Sequence, residues 1–167
     1  GAAALLLMFV WRPQTAKATN VEATSFAQVY RRCAVAERHD TFKLRDAQGV
    51  VPPDGLRKLQ QAAGFACSLP DLAQRGPYHL DGACRCWPER SVNLVHMYFR
   101  KQDNPDHVVS IFVVDRPVLL CSQGHPCGCC GGSGERRYSG ENDGNVAVVC
   151  WKDGQRGYVM ACEQMSR

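Results

Sequence analysis

The sequence has no basic run longer than two residues; Arg31-Arg32, Arg100-Lys101 and Arg136-Arg137 are the longest. With 20 basic against 16 acidic residues, the net charge of +4 is spread thinly. So mild and dispersed a positive charge does not establish a nucleic-acid partner, and no direct one is expected. No G-x-S-x-G, H-E-x-x-H or Walker pattern occurs, and the chain reads as a non-catalytic domain. Gly131-Gly132-Ser133-Gly134 has the look of a phosphate loop. It lacks the Lys-Ser/Thr that would follow, so it reads as a flexible linker. Repeats are absent as well, which excludes collagen and coiled coils. The longest apolar stretch, Gly1 to Trp11, would extend about 16 Å as a helix. A bilayer core is about 30 Å thick, so a multi-span membrane protein is excluded.

What the chain has in excess is cysteine: ten among 167 residues. A domain of this length buries roughly two-thirds of its unfolded surface, so it needs no staples to fold. Charged residues at 22% and hydrophobic ones at 45% describe a globular chain. Cysteine abundance points instead to an oxidising compartment. The N-terminus agrees. Residues 1–11 read as the end of a truncated transmembrane helix, as the apolar part of a signal segment, or as a short core helix. Ala16-Lys17-Ala18 resembles a signal cleavage site. The first two readings place the rest of the chain in the periplasm or outside the cell. Residues 12–22 then form a linker, and residues 23–167 a single extracytoplasmic domain.

Within that domain Phe26, Val29, Tyr30, Cys33 and Ala34 make one apolar stripe, predicting a helix over Ser25–Arg38. A second helix is expected over Gly55–Ala63, opened by Asp54, with Leu56 and Leu59 facing inward and Gly64 closing it. Beyond Gly64 the period changes. A short extended stretch is expected over Phe65–Leu69. Strands are predicted at Tyr78–Trp87 (interrupted by Gly82), Ser91–Arg100, His107–Asp115, Asn145–Trp151 and Gly157–Cys162. Lys101–Asp106 and Asp153-Gly154 supply turns for two hairpins. The expected fold is α+β: two N-terminal helices packed on a mostly antiparallel sheet of about five strands, with a Cys/Gly-rich loop over Cys121–Gly144.

The cysteines permit three kinds of chemistry. Cys121, His125, Cys127, Cys129 and Cys130 are the sequence's candidate metal ligands, because thiolates and imidazole suit zinc or copper. They lack two separated C-x2-C pairs of the structural zinc type. Neighbouring thiols could also exchange disulfides. The plainest reading is a disulfide framework drawn from Cys84, Cys86, Cys121, Cys127, Cys129, Cys130, Cys150 and Cys162, with no cofactor. Cys84 and Cys86 share a face if their segment is a strand. With Asp153-Gly154 as the turn, residue 162 stands opposite residue 145. Cys150 then lies about 16 Å along the strand from Cys162's position. A disulfide tolerates about 7 Å between Cα atoms, so these two should seek partners elsewhere. Cys33 reads as a small buried hydrophobe, and His96 as a partly buried, hydrogen-bonded histidine.

The second half of the chain resembles a family. Leu69-Pro70-Asp71-Leu72, Leu80-Asp81-Gly82-Ala83, His96-Met97-Tyr98, Val109-Ser110-Ile111-Phe112-Val113, Asn145 to Trp151 and Gly157-Tyr158-Val159-Met160 occur in one order. This order is similar to the extracytoplasmic domain of membrane-anchored anti-sigma factors. The resemblance spans roughly residues 52 to 162. It implies a sensory, regulatory domain held at the membrane by an N-terminal helix. It also implies a sigma-factor partner reached only through an upstream module with His-x3-Cys-x2-Cys ligands, which would lie before Gly1. The cysteine-rich loop departs from the family pattern. The alternative is a secreted or membrane-anchored metal-binding or thiol-redox domain.

Overall fold

The computed structural model describes residues 19–65, 72, 76–85, 93–122, 125–126 and 139–164. Its centre is a six-stranded antiparallel sheet in the order β2-β3-β4-β9-β8-β7. These strands are β2 (Tyr78–Cys84), β3 (Leu94–Lys101), β4 (Val108–Val114), β7 (Ser139–Asp143), β8 (Val146–Asp153) and β9 (Arg156–Glu163). The α+β expectation therefore holds, with one strand more than expected. The extra strand, β7, comes from the segment read as the Cys/Gly-rich loop. Two further strands lie at that segment's start: β5 (Val118–Ser122), which runs into it, and the two-residue β6 (His125–Pro126) within it. Residues 19–22, read as the end of a linker, form β1, which runs parallel to β5 with Val21 opposite Leu120.

Alternation explains the sheet. β3 and β4 are buried on both faces, as expected of central strands rich in β-branched and aromatic residues. One face carries Leu94, Tyr98, Phe112, Val114, Val148, Cys150, Val159 and Ala161. The other carries Val95, Met97, Phe99, Ile111, Val113 and Tyr158. The two helices cover opposite faces, making three layers. Phe26, Tyr30, Cys33 and Ala34 lie on the first face, and Leu59, with Leu56 and Ala63 packed beside it, on the second.

The first helix is not one regular element. α1 spans Ala23–Val29, and Tyr30–Ala36 continues as a π-helix. Glu37 N–H donates to Arg32 O, five residues back, at 2.9 Å. Wide π turns are uncommon and recur at functional sites. Here the widened segment holds Cys33 fully buried against the sheet. α2 spans Gly55–Ala63 and ends at Gly64, whose φ of 75° is the left-handed close expected of a glycine.

The last hairpin differs from expectation by one residue. Asp153 pairs with Arg156, so Gly154-Gln155 is the turn, and Cys162 stands opposite Ala147 rather than residue 145. Gly154 takes the positive φ that this turn needs. Cys150 is then three positions from Cys162's partner, about 10 Å along the strand. That still exceeds disulfide reach.

One irregularity organises the sheet's far edge. Leu80 pairs with Phe99 and Gly82 with Tyr98, leaving Asp81 as the extra residue of a β-bulge. Asp81 is 5% exposed and collects guanidinium groups. Arg38 donates to it at 2.6 and 3.2 Å, and Arg100 at 3.0 Å. Arg45 Nη2 stands 3.6 Å away and Arg45 Nε donates to the Asp81 carbonyl at 2.6 Å. Gly82 lets this cluster close. A Cβ there would stand 2.3 Å from Tyr98 Oη and 2.9 Å from Arg45 Nη2. We expect Gly82→Ala to cost about 1–3 kcal/mol in urea denaturation through overpacking against the buried Tyr98 ring.

Burial alone would push the Asp81 carboxyl up. The hydrogen bonds from Arg38 and Arg100 outweigh it and hold the group below its usual value. A depressed carboxylate pKa stabilises the fold above the unfolded value of about 3.9 and stops doing so as pH falls through the folded value. Asp81→Asn should therefore lower stability by about 2 kcal/mol at pH 7. Chemical denaturation should show the gap to wild type narrowing toward pH 3.

Candidate functional site

Three chemically capable side chains meet on the α1 face of the sheet: Cys33, Cys84 and His96. All three are fully buried. Their donor atoms lie within 4.8 Å of one another. Cys33 arrives from the π-helical segment, Cys84 from the end of β2, and His96 from β3 directly opposite Cys84. Cys84 Sγ is 3.3 Å from His96 Nδ1, and His96 Nε2 is 2.8 Å from Ser110 Oγ on β4. Cys33 also hydrogen-bonds the imidazole.

Aromatic packing fixes the ring. Phe112, opposite His96 on β4, stacks on it at 4.2 Å and 11°. Phe26 of α1 meets Phe112 edge-on at 5.0 Å. Sulfur is a poor acceptor and a thiol can donate. The tautomer that suits this donor set has Nδ1 accepting from the Cys84 thiol and Nε2–H donating to Ser110 Oγ. Burial lowers the His96 pKa, against the raising effect of the Cys33 hydrogen bond. Burial favours the neutral ring, whose Nδ1 faces Cys84 Sγ.

Neither sulfur is exposed, so an external substrate has no path to a thiol in this conformation. The arrangement suits holding a soft metal ion better than attacking a substrate. Zinc–ligand bonds of about 2.3 Å to sulfur and 2.0 Å to nitrogen place donors about 3.5–4 Å apart. Cys84 Sγ and His96 Nδ1, 3.3 Å apart, are close to that spacing, and all three donors lie within 4.8 Å of one another.

The sequence-derived candidates fare differently. Cys84 is brought into the cluster. Cys150 is buried on the same face of the sheet, on β8. Cys162 is a half-buried thiol whose pKa is pushed up by burial. Cys121 lies on β5 opposite Pro126, and His125 on β6 opposite Ser122. Cys86, Cys127, Cys129 and Cys130 lie outside the described residues, as do residues 1–11 and most of the expected stretch Phe65–Leu69. Cys33 is buried as the sequence suggests, and His96, expected to be partly buried, is fully so; their spacing does not mark them as neighbours. The signal was available in part: Cys33 sits in the helix's apolar stripe, and His96 shares a strand face with Leu94 and Tyr98.

Among the described residues no helix is long and apolar enough to cross a membrane. Comparison with known proteins gave no matching family model, no matching curated protein and no matching solved structure. Local geometry yields a direct prediction. Ser110→Ala would strand the buried His96 Nε2–H and cost about 1–3 kcal/mol. Nitrogen NMR of the wild type should place the imidazole proton on Nε2.

Proposed function

We propose that the chain is the extracytoplasmic sensory domain of an anti-sigma-factor-like, single-span membrane protein, acting without catalysis. One observation carries this reading. Apart from Leu72 and Asn145, the resembling residues that are described occupy five adjacent strands of one sheet: β2, β3, β4, β9 and β8. A resemblance scattered over unrelated surfaces would carry less weight. Complete burial of the Cys84 and His96 side chains also favours a non-catalytic role.

The topology suggests how a signal travels. β1, at the N-terminal side of the domain, hydrogen-bonds along β5 from Thr19–Val118 to Glu22–Cys121. β5 leads directly into the cysteine-rich segment. A change in that segment would bear on β1, and through it on whatever precedes the domain. In this reading the membrane is a partner through residues 1–11, and the sigma factor through an upstream module.

The test uses the intact gene product carrying a C-terminal tag. Expected are a tag accessible only from outside the cytoplasmic membrane, co-purification of a sigma factor, and altered output from that factor's promoters on deletion of residues 52–162. A tag located in the cytoplasm, or an intact product that binds no sigma factor, would overturn the reading.

A further inference from the structure

We propose that Cys33, Cys84 and His96 form a buried Cu(I) site. The proposal does not rest on the sigma-factor reading, because the donor set is the same whatever the domain is attached to.

Three observations converge. The donors are two sulfurs and one imidazole nitrogen, a soft set that favours Cu(I) or Zn(II) over hard cations. Their atoms already lie within 4.8 Å of one another, so an ion needs side-chain adjustments rather than refolding. His96 is set up as a ligand in advance: the 2.8 Å bond to Ser110 holds Nε2, and Phe112 holds the ring plane at 4.2 Å. An outer partner on the second ring nitrogen is the usual companion of a metal-bound histidine.

Donor number chooses between the two ions. Structural zinc takes four ligands, and among the described residues this cluster supplies three. Cu(I) accepts three donors in a plane. Both sulfurs bind as thiolates, so Cu(I) displaces two thiol protons, which leave to solvent. The bound ion, two thiolates and a neutral imidazole then carry a net charge of −1, shared by the metal and both sulfurs.

The site ties the helix layer to the sheet through Cys33, and two adjacent strands to each other through Cys84 and His96. Bound Cu(I) would thus lock the π-helical segment onto β2 and β3. Binding to the folded state alone would stabilise the fold by mass action.

The test titrates the reduced full chain with Cu(I) under anaerobic conditions, against a chromophoric Cu(I) chelator. Wild type should hold one equivalent that the Cys127→Ser/Cys129→Ser/Cys130→Ser variant retains and the Cys33→Ala/Cys84→Ala variant loses. Ser110→Ala should weaken that equivalent by about 10–100-fold. The His96 Nδ1 resonance should move when Cu(I) is added to wild type, a readout that stands even if the double-alanine variant fails to fold. A folded double variant with undiminished Cu(I) binding overturns the proposal. So does an unmoved His96 resonance, or a Cys33–Cys84 disulfide in protein isolated from its native host. Zn(II) binding at this site as tightly as Cu(I) would overturn the copper assignment.

Discussion

The Asp81–arginine cluster sets the phase of β2, and the phase of β2 decides which of its side chains face each layer. Side chains on a strand alternate, so one inserted residue sends everything after it to the other face. Leu80 packs with Phe99 on the α2 face. In a regular strand Gly82 and Cys84 would share that face. The bulge at Asp81 moves them to the α1 face, where Cys84 meets His96. Without the bulge Cys84 would face α2, and the three donors would never meet.

A bulge needs a reason to stay in place, because the extra residue loses its ladder partner. Here a buried carboxylate holds it, with hydrogen bonds from two guanidinium groups and a third close by. Burying a charge is costly unless it is paired and hydrogen-bonded. The arginines meet that condition only if Asp81 stands where the bulge puts it. Gly82 supplies the room for Tyr98 and Arg45 to approach. Local backbone irregularity and ion cluster therefore define each other.

This interdependence explains what the sequence could and could not reveal. β3, β4, β8 and β9 are legible because β-branched and aromatic residues are dense within each short segment, as in Val108–Val114. The amphipathic stripe from Phe26 to Ala34 was legible too. Its change from α to π winding was not, since that depends on how Tyr30 and Cys33 seat on the sheet. Nor was β7, whose residues Ser139–Asp143 are polar and glycine-bearing and gain their strand geometry from pairing with β8. The donor cluster was the least visible feature. Cysteine is densest at residues 121–130, whereas Cys33 lies far from Cys84 in the chain, and Cys84 meets His96 only across a strand pair. Their meeting depends on a helix docking, a hairpin register and a bulge at once.

The clamp and the cluster also share their chain segments. Arg38 follows the π-helical segment that carries Cys33, and it grips Asp81, three residues before Cys84. Both contacts join the same stretch of the helix layer to the same strand. Pulling the π-helical segment away from β2 would separate Cys33 from Cys84 and Arg38 from Asp81 together. Conversely, anything that strengthens one contact holds the other, because they oppose the same motion. The first contact sits in a dry core and the second at a partly open edge, where Arg38 is half exposed. The edge clamp is thus the part that pH and ions in solution can reach, and the sulfur–imidazole cluster is the part a soft metal would act on. Both contacts bear on one stretch of the helix layer and one bulged strand.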